Sequence, residues 1–306
     1  MTRTLAPIAA ALMAMGFAGP AMAAPCMTMT ISPSAPGLAQ WNPLDGQDQE
    51  VAFTATITRD AASTKSVRLI FIDNDSNISP TRIGTSGPRY AIVSAGGGVI
   101  SFPKGTTLSN SYGVTVPFTN KNDATVSLKV RILGSREDFT SDVRYQENLD
   151  YAAQCLKANG SDNGSSTVPT SSNLRLDLTI PKVLSVTTSS AAEINFQEFT
   201  KDQEQTIIRL ASTSPLNVSA TTDNNGKLMI GTSAPPNATI PYTMQFGLNN
   251  GSPLAPLPST GTPITAARAG VGGSAYALNL KLTDGVPSGK IAGAYSDTIT
   301  LTITPQ

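Results

Sequence analysis

The strongest constraint in this chain is a two-residue alternation of apolar and polar side chains, repeated in short runs and broken by turns. Val51, Phe53, Ala55 and Ile57 fall on one face of such a run, with Ala52, Thr54 and Thr56 on the other. Successive side chains of an extended strand point to opposite sides, so this pattern builds a half-buried strand and not the apolar stripe of a helix. Further strand candidates occupy 67–72, 91–93, 113–118 and 126–133, then 174–180, 205–210, 216–220, 228–230, 242–248, 276–282 and 298–303. Clusters of Gly, Pro, Asn and Ser separate them at intervals of roughly ten residues, the cadence of a β-sandwich. The expected fold is all-β: two tandem Ig-like β-sandwich domains.

Composition narrows the chemistry. The 306 residues include no histidine and only two cysteines. Ser-His-Asp and Cys-His catalysis, imidazole metal ligands and histidine pH switches are therefore absent, and two cysteines cannot build a zinc finger or an iron–sulfur site. Basic and acidic side chains balance at 21 each, which leaves no electrostatic footprint for nucleic acid. No cofactor and no metal are expected.

The N-terminus reads as an address. Arg3 supplies a positive start, Leu5 to Phe17 form a short apolar core, and Ala21-Met22-Ala23 is a small-x-small cleavage site. Residues 1–23 are thus expected to be a signal peptide, with the mature chain starting at Ala24. Pro25 stands where a lipobox wants Gly or Ala, which argues against lipidation at Cys26. Export to an oxidising compartment makes a Cys26–Cys155 disulfide the expectation, tying the first strand of a domain to its last. Closing so long a loop stabilises by roughly 5 kcal/mol in the chain-entropy model. The alternative is two unpaired, buried thiols.

A polar Gly/Ser/Asn-rich stretch begins just after Cys155 and carries no apolar periodicity, so residues 158–171 read as a flexible linker. The expected domains are 24–157 and 172–306.

The second half ends with Ala275 to Leu282, then Gly289 to Ile303, in which Ala294-Tyr-Ser-Asp-Thr298 forms a turn before a final alternating strand. This arrangement resembles the C-terminus of the spore coat protein U domain, the family that includes subunits of archaic chaperone–usher pili. The first half resembles a divergent copy. Trp41 to Gly46 precedes the Val51–Ile57 strand as the family's aromatic-x-Pro-Leu turn does, and Phe139-Thr-Ser-Asp-Val143 echoes Tyr295-Ser-Asp.

The resemblance implies a C-terminal pilin-type sandwich lacking its last strand, with an apolar groove filled by a strand from an adjacent subunit. Ile299, Leu301 and Ile303, facing Leu174, Leu176, Leu178 and Ile180, are the expected groove walls. The sequence stops three residues after Ile303, and only Ala24 and Pro25 precede Cys26 in the expected mature chain. A subunit that accepts a strand but has none to donate is expected at the tip of a fibre, as its adhesin.

The implied partners are a periplasmic pilus chaperone, an outer-membrane usher, an adjacent pilin subunit and an abiotic or host surface, with export through the periplasm to the cell surface. The first domain would carry the contact surface on loops at 73–90, with Ile78, Pro80 and Ile83, and at 94–112, with Ile100, Phe102 and Leu108. The alternatives are a structural shaft or coat subunit, and a carbohydrate-binding module with Trp41 or Tyr112 as a stacking platform.

Other chemistry is weak. Asp73-Asn-Asp75-Ser-Asn77 starts like a calcium loop, but Ile78 replaces the required Gly and Gly84 the bidentate Glu, so it reads as a solvated turn. Ser101-Phe-Pro-Lys104 matches a Ser-x-x-Lys pattern, yet Pro103 breaks the helix that motif needs.

Overall fold

Alternation that runs to ten residues or more gives the longest strands, and these organise both sandwiches. The computed structural model describes residues 26–39, 41–75, 81–109, 112–135, 137–165, 170–188, 192–231 and 235–306; the expected signal peptide lies outside them. In chain order the first ten strands are β1 (Met27–Ser32), β2 (Gln49–Arg59), β3 (Ser66–Asp73), β4 (Tyr90–Ser94), β5 (Ser101–Phe102), β6 (Val114–Pro117), β7 (Asp123–Ile132), β8 (Arg144–Leu156), β9 (Asp162–Ser165) and β10 (Thr170–Thr179). Then follow β11 (Leu184–Val186), β12 (Gln203–Ser212), β13 (Leu216–Thr222), β14 (Lys227–Met229), β15 (Thr239–Leu248), β16 (Ala255–Leu257), β17 (Ile264–Ala266), β18 (Gly270–Leu282) and β19 (Ile299–Pro305). Among the described residues the helical content is a single 3-10 turn at Pro236–Ala238. The all-β expectation is borne out.

The first sandwich packs the sheet β1-β2-β7-β4 against β10-β8-β3, with β5 and β6 on β3 and β9 on β8. Phe53, Ala55 and Ile57 are buried as their alternation requires, and Val51 packs partly covered against the same core. Phe53 meets Phe71 of the facing sheet edge-on at 6.1 Å between ring centres. The Cys26–Cys155 disulfide is present and ties the residue before β1 to the end of β8.

The second sandwich repeats this plan with one strand fewer. Its sheet β11-β12-β18-β15 has the same order as β1-β2-β7-β4, and its facing sheet β17-β13-β19 corresponds to β6-β3-β8. In the first sandwich, β10 and β9 cover the edge of β8 that faces away from β3. Among the described residues nothing covers the matching edge of β19, which pairs with β13 alone.

This topology corrects the expected domain boundary. Residues 158–165 do not form a free linker: Lys157 to Ser161 make a tight turn and β9 pairs with Gln154 to Leu156. The Leu174-to-Ile180 run belongs to β10, whose residues 175–179 pair with Arg144 to Asn148, so it is the last strand of the first sandwich and not the first strand of the second. Leu174, Leu176, Leu178 and Ile180 are all fully buried in the first core. Asn173 holds β10 across to β1, accepting the Ile31 N–H at 3.1 Å and donating to its carbonyl at 3.3 Å. The chain crosses between sandwiches at 181–183, immediately after Ile180.

Candidate functional site: an open sheet edge over an apolar groove

The unpaired edge is built by a strand whose start is fixed firmly and whose inner face is left half covered. Asp297 fixes the start: its Oδ1 accepts the N–H of Asn224 at 3.0 Å and of Thr298 at 2.8 Å, and its Oδ2 accepts the Tyr242 hydroxyl at 2.7 Å. Burial and the Asp297 carboxylate together push the Tyr242 phenol well above its usual range, so this hydroxyl stays a donor. Ser296 exchanges two backbone hydrogen bonds with Met229, both at 3.0 Å. The Tyr-Ser-Asp turn singled out in the sequence thus aims β19 along the sandwich.

Along β19, Ile299, Leu301 and Ile303 face inward between outward Thr300, Thr302 and Thr304. Each packs against the second core but stays half-buried. Around the same core Leu184, Ile194, Phe199 and Ile208 are also only partly covered. The corresponding inward positions of β8, such as Leu149, Ala153 and Cys155, are fully buried in the sandwich whose β8 edge β9 and β10 cover. The difference between the two sandwiches is the missing strand. Among the described residues β11 pairs only with Leu210 to Ser212, so there the first part of β12 also shows a bare edge.

At the end of β19 away from the first sandwich, the groove opens into a cavity of about 260 Å³. Phe199, Ile240, Val286, Ile291 and Tyr295 line it, and Phe199 meets Tyr295 edge-on at 5.7 Å. Val286 is 54% exposed and Ile291 45%, large values for apolar side chains beside a core.

The expected groove residues therefore separate. Ile299, Leu301 and Ile303 line the open groove, whereas Leu174, Leu176, Leu178 and Ile180 fill the closed one in the first sandwich. Sequence reading missed Ile208, Phe199 and Ile194, which join Ile299, Leu301 and Ile303 around one core only once the second sandwich is assembled.

The expected surface loops also change. Ile83 and Ile100 are buried in the first core, so neither is a contact residue. Ile78 and Pro80 lie outside the described residues. Phe102 and Leu108 are half-buried with Tyr112 on the outer face of the β3–β8 sheet, against Ile70, Ile72 and Ala152, and the Phe102 and Tyr112 rings lie 4.6 Å apart. Trp41 is 1% exposed and packs edge-on against Phe139 at 5.3 Å. It belongs to the core and cannot stack on a sugar. Ser101 uses its hydroxyl to accept the Ile92 N–H at 2.9 Å, a purely structural role.

One acidic cluster was only partly visible in the sequence, which singled out Asp73 and Asp75 but not their third partner. Asp73 and Asp75 meet Glu147 of β8, with one oxygen from each within 4.8 Å of the others. Among the described residues this is the group that could hold a cation. The Tyr90 hydroxyl donates to Asp73 at 3.1 Å and the Gly84 N–H to Glu147 at 3.2 Å. Burial, then the charges of Asp73 and Asp75, push the Glu147 carboxyl up to about 8.

No protein-family model matches the chain, and no curated protein matches it by sequence. Solved structures similar to it include the tip adhesion subunit of the archaic chaperone–usher Csu pili of Acinetobacter baumannii, in the chaperone-bound CsuC–CsuE complex. That match has 14% identity and a TM-score of 0.39, and covers 81% of this chain and 89% of that one. A second is CfaE, the adhesive subunit of the CFA/I fimbria of enterotoxigenic Escherichia coli, at 10% identity and a TM-score of 0.34, covering 91% and 81%. A chaperone–tip adhesin complex of CFA/I fimbriae matches at 14% identity and a TM-score of 0.32, covering 92% and 84%. These chains are what the protein is similar to; its fold rests on the strand order and the two cores described above.

Proposed function

We propose that this protein is a non-enzymatic surface subunit of a chaperone–usher pilus of the archaic type, seated at the fibre tip as its adhesin. Its second sandwich accepts a strand from the adjacent pilin subunit, after a periplasmic chaperone has held the same edge and an outer-membrane usher has passed the subunit outward. The first sandwich makes the contact with an abiotic or host surface, in adhesion and biofilm formation. The half-buried Phe102, Leu108 and Tyr112, with the exposed Val99 nearby in the chain, are among the described residues available for apolar contact.

One observation carries the reading: two sandwiches of matching strand order, one closed by β10 and the other open at the same edge. An exposed edge over apolar side chains is an aggregation hazard unless a partner covers it, and strand addition supplies both the hydrogen bonds and the side-chain burial. Completing the burial of Ile299, Leu301 and Ile303 is worth about 1 kcal/mol each. The tip position is supported by Cys26, which is bonded to Cys155, and by β1, which is paired with β2. The chain from Cys26 to Ser32 is thus committed to its own sandwich and is not free to enter a neighbour.

The test is expression of the full chain alone, with a periplasmic pilus chaperone, and with a flexible linker and a strand of alternating Leu and Ile fused after Gln306. The chain alone should aggregate or melt early, and either partner should rescue it. A stable monomer indifferent to both would sink the open-groove reading. Antibody labelling at one end of intact fibres supports the adhesin role, and labelling along the shaft supports a structural subunit.

A further inference from the structure

We infer that the loop joining β7 to β8 locks the two sandwiches into one rigid unit, so that the second carries the first at a fixed angle. Domain interfaces within a chain are mobile by default, and a single covalent crossing at 181–183 would leave a hinge. Two further attachments and a brace on the crossing remove it.

The loop is anchored in the first core by Phe139, which is 4% exposed and packs edge-on against both Trp41 and Tyr145. Just ahead of it, Asp138 forms a two-pronged ion pair with Arg268 of the second sandwich, at 2.6 Å to Nη1 and 2.5 Å to Nη2. The same carboxylate accepts the Val271 N–H at 2.9 Å, and Arg268 Nη1 also donates to the Phe139 carbonyl at 3.3 Å. Gly270 permits this approach: its φ is +73°, and a Cβ there would stand 3.2 Å from Asp138 Oδ1. Such a fork fixes orientation as well as distance.

Just after Phe139, the Ser141 N–H donates to the Thr213 carbonyl at 2.8 Å. Thr213 is fully buried, and its hydroxyl donates to the Pro181 carbonyl at 2.7 Å and accepts the Val183 N–H at 3.0 Å. The covalent crossing is thereby clamped to the same residue that meets Ser141. Asp142 braces the crossing itself: its N–H donates to the Ile180 carbonyl at 3.0 Å within the first sandwich, and its carboxylate lies 3.3 Å from Lys182 Nζ. Bending at the crossing must break the fork and strip the buried Thr213 hydroxyl of its partners, and an unsatisfied buried polar group is costly. The lock goes beyond the pilus reading and does not depend on whether the groove is filled.

The experiment measures the distance between spin labels on Ser127→Cys and Thr243→Cys, one exposed position per sandwich, in the full chain with its native disulfide intact. The parent should give one narrow distance distribution. Asp138→Asn with Arg268→Gln should broaden it, as should Thr213→Val, while the first sandwich's unfolding midpoint stays put. A broad distribution in the parent, or an unchanged one in variants that fold, would overturn the lock. If a variant fails to fold, the parent's distribution still decides.

Discussion

Glu147 shows how a single carboxyl can set a pH dependence. It is buried on β8 beside Asp73 and Asp75, and its pKa stands at about 8 against an ordinary 4.5. The folded protein therefore holds a proton between pH 4.5 and 8 that the unfolded chain has lost. Stability from this group is full below the lower value, falls as pH rises between the two, and is flat above the higher. The slope is at most about 1.4 kcal/mol per pH unit. Glu147→Gln should accordingly raise the urea midpoint at pH 7 and flatten its pH profile from 5 to 8; a profile as steep as the parent's would refute the assignment. The sequence showed Asp73 and Asp75 but not Glu147, which lies far along the chain from them and is joined to them only by the β3–β8 register. The disulfide was legible, since two cysteines in a chain expected to be exported leave one pairing. Replacing both with Ala should cost roughly 4–5 kcal/mol in denaturant unfolding of the first sandwich.

At the scale of elements, β10 and β19 carry the same alternating apolar signature yet behave differently. Sequence reading found both strands because alternation is local, although β10 starts at Thr170, inside the expected linker, and not at Leu174. It assigned β10 to the wrong sandwich, because alternation shows which face is buried but not which sheet it is buried against. The polar run after Cys155 looked like a boundary, whereas backbone pairing makes part of it β9. Trp41 misled in a similar way: an aromatic in a turn reads as a platform until the turn is folded over the core. The two strands should now separate experimentally. Leu176→Ala, in a fully closed core, should cost about 3 kcal/mol in unfolding of the first sandwich. Leu301→Ala, in a half-open one, should cost under ~1 kcal/mol in the chain alone, where less burial is lost. Equal losses at both positions would mean that the β19 groove is already filled.

On the scale of the whole molecule, closure is unequal while attachment is firm, and this predicts a gradient of stability along one rigid body. The first sandwich has a complete core, a disulfide and a covered β8 edge. The second has the same strand plan, a bare β19 edge and inner side chains still half in solvent. Local opening is easiest where apolar contacts are fewest and backbone hydrogen bonds most exposed. Amide hydrogen exchange should therefore be slowest in β2, β3, β7 and β8, faster in β13 and β18, and fastest in β19 and the first part of β12. Supplying a partner strand should then slow exchange in β19, β13 and β12 and leave the first sandwich unchanged, because that core is already closed by β10. Protection that rose equally in both sandwiches would mean that the strand acts by general compaction. Protection confined to the second sandwich places the missing element at the edge of β19.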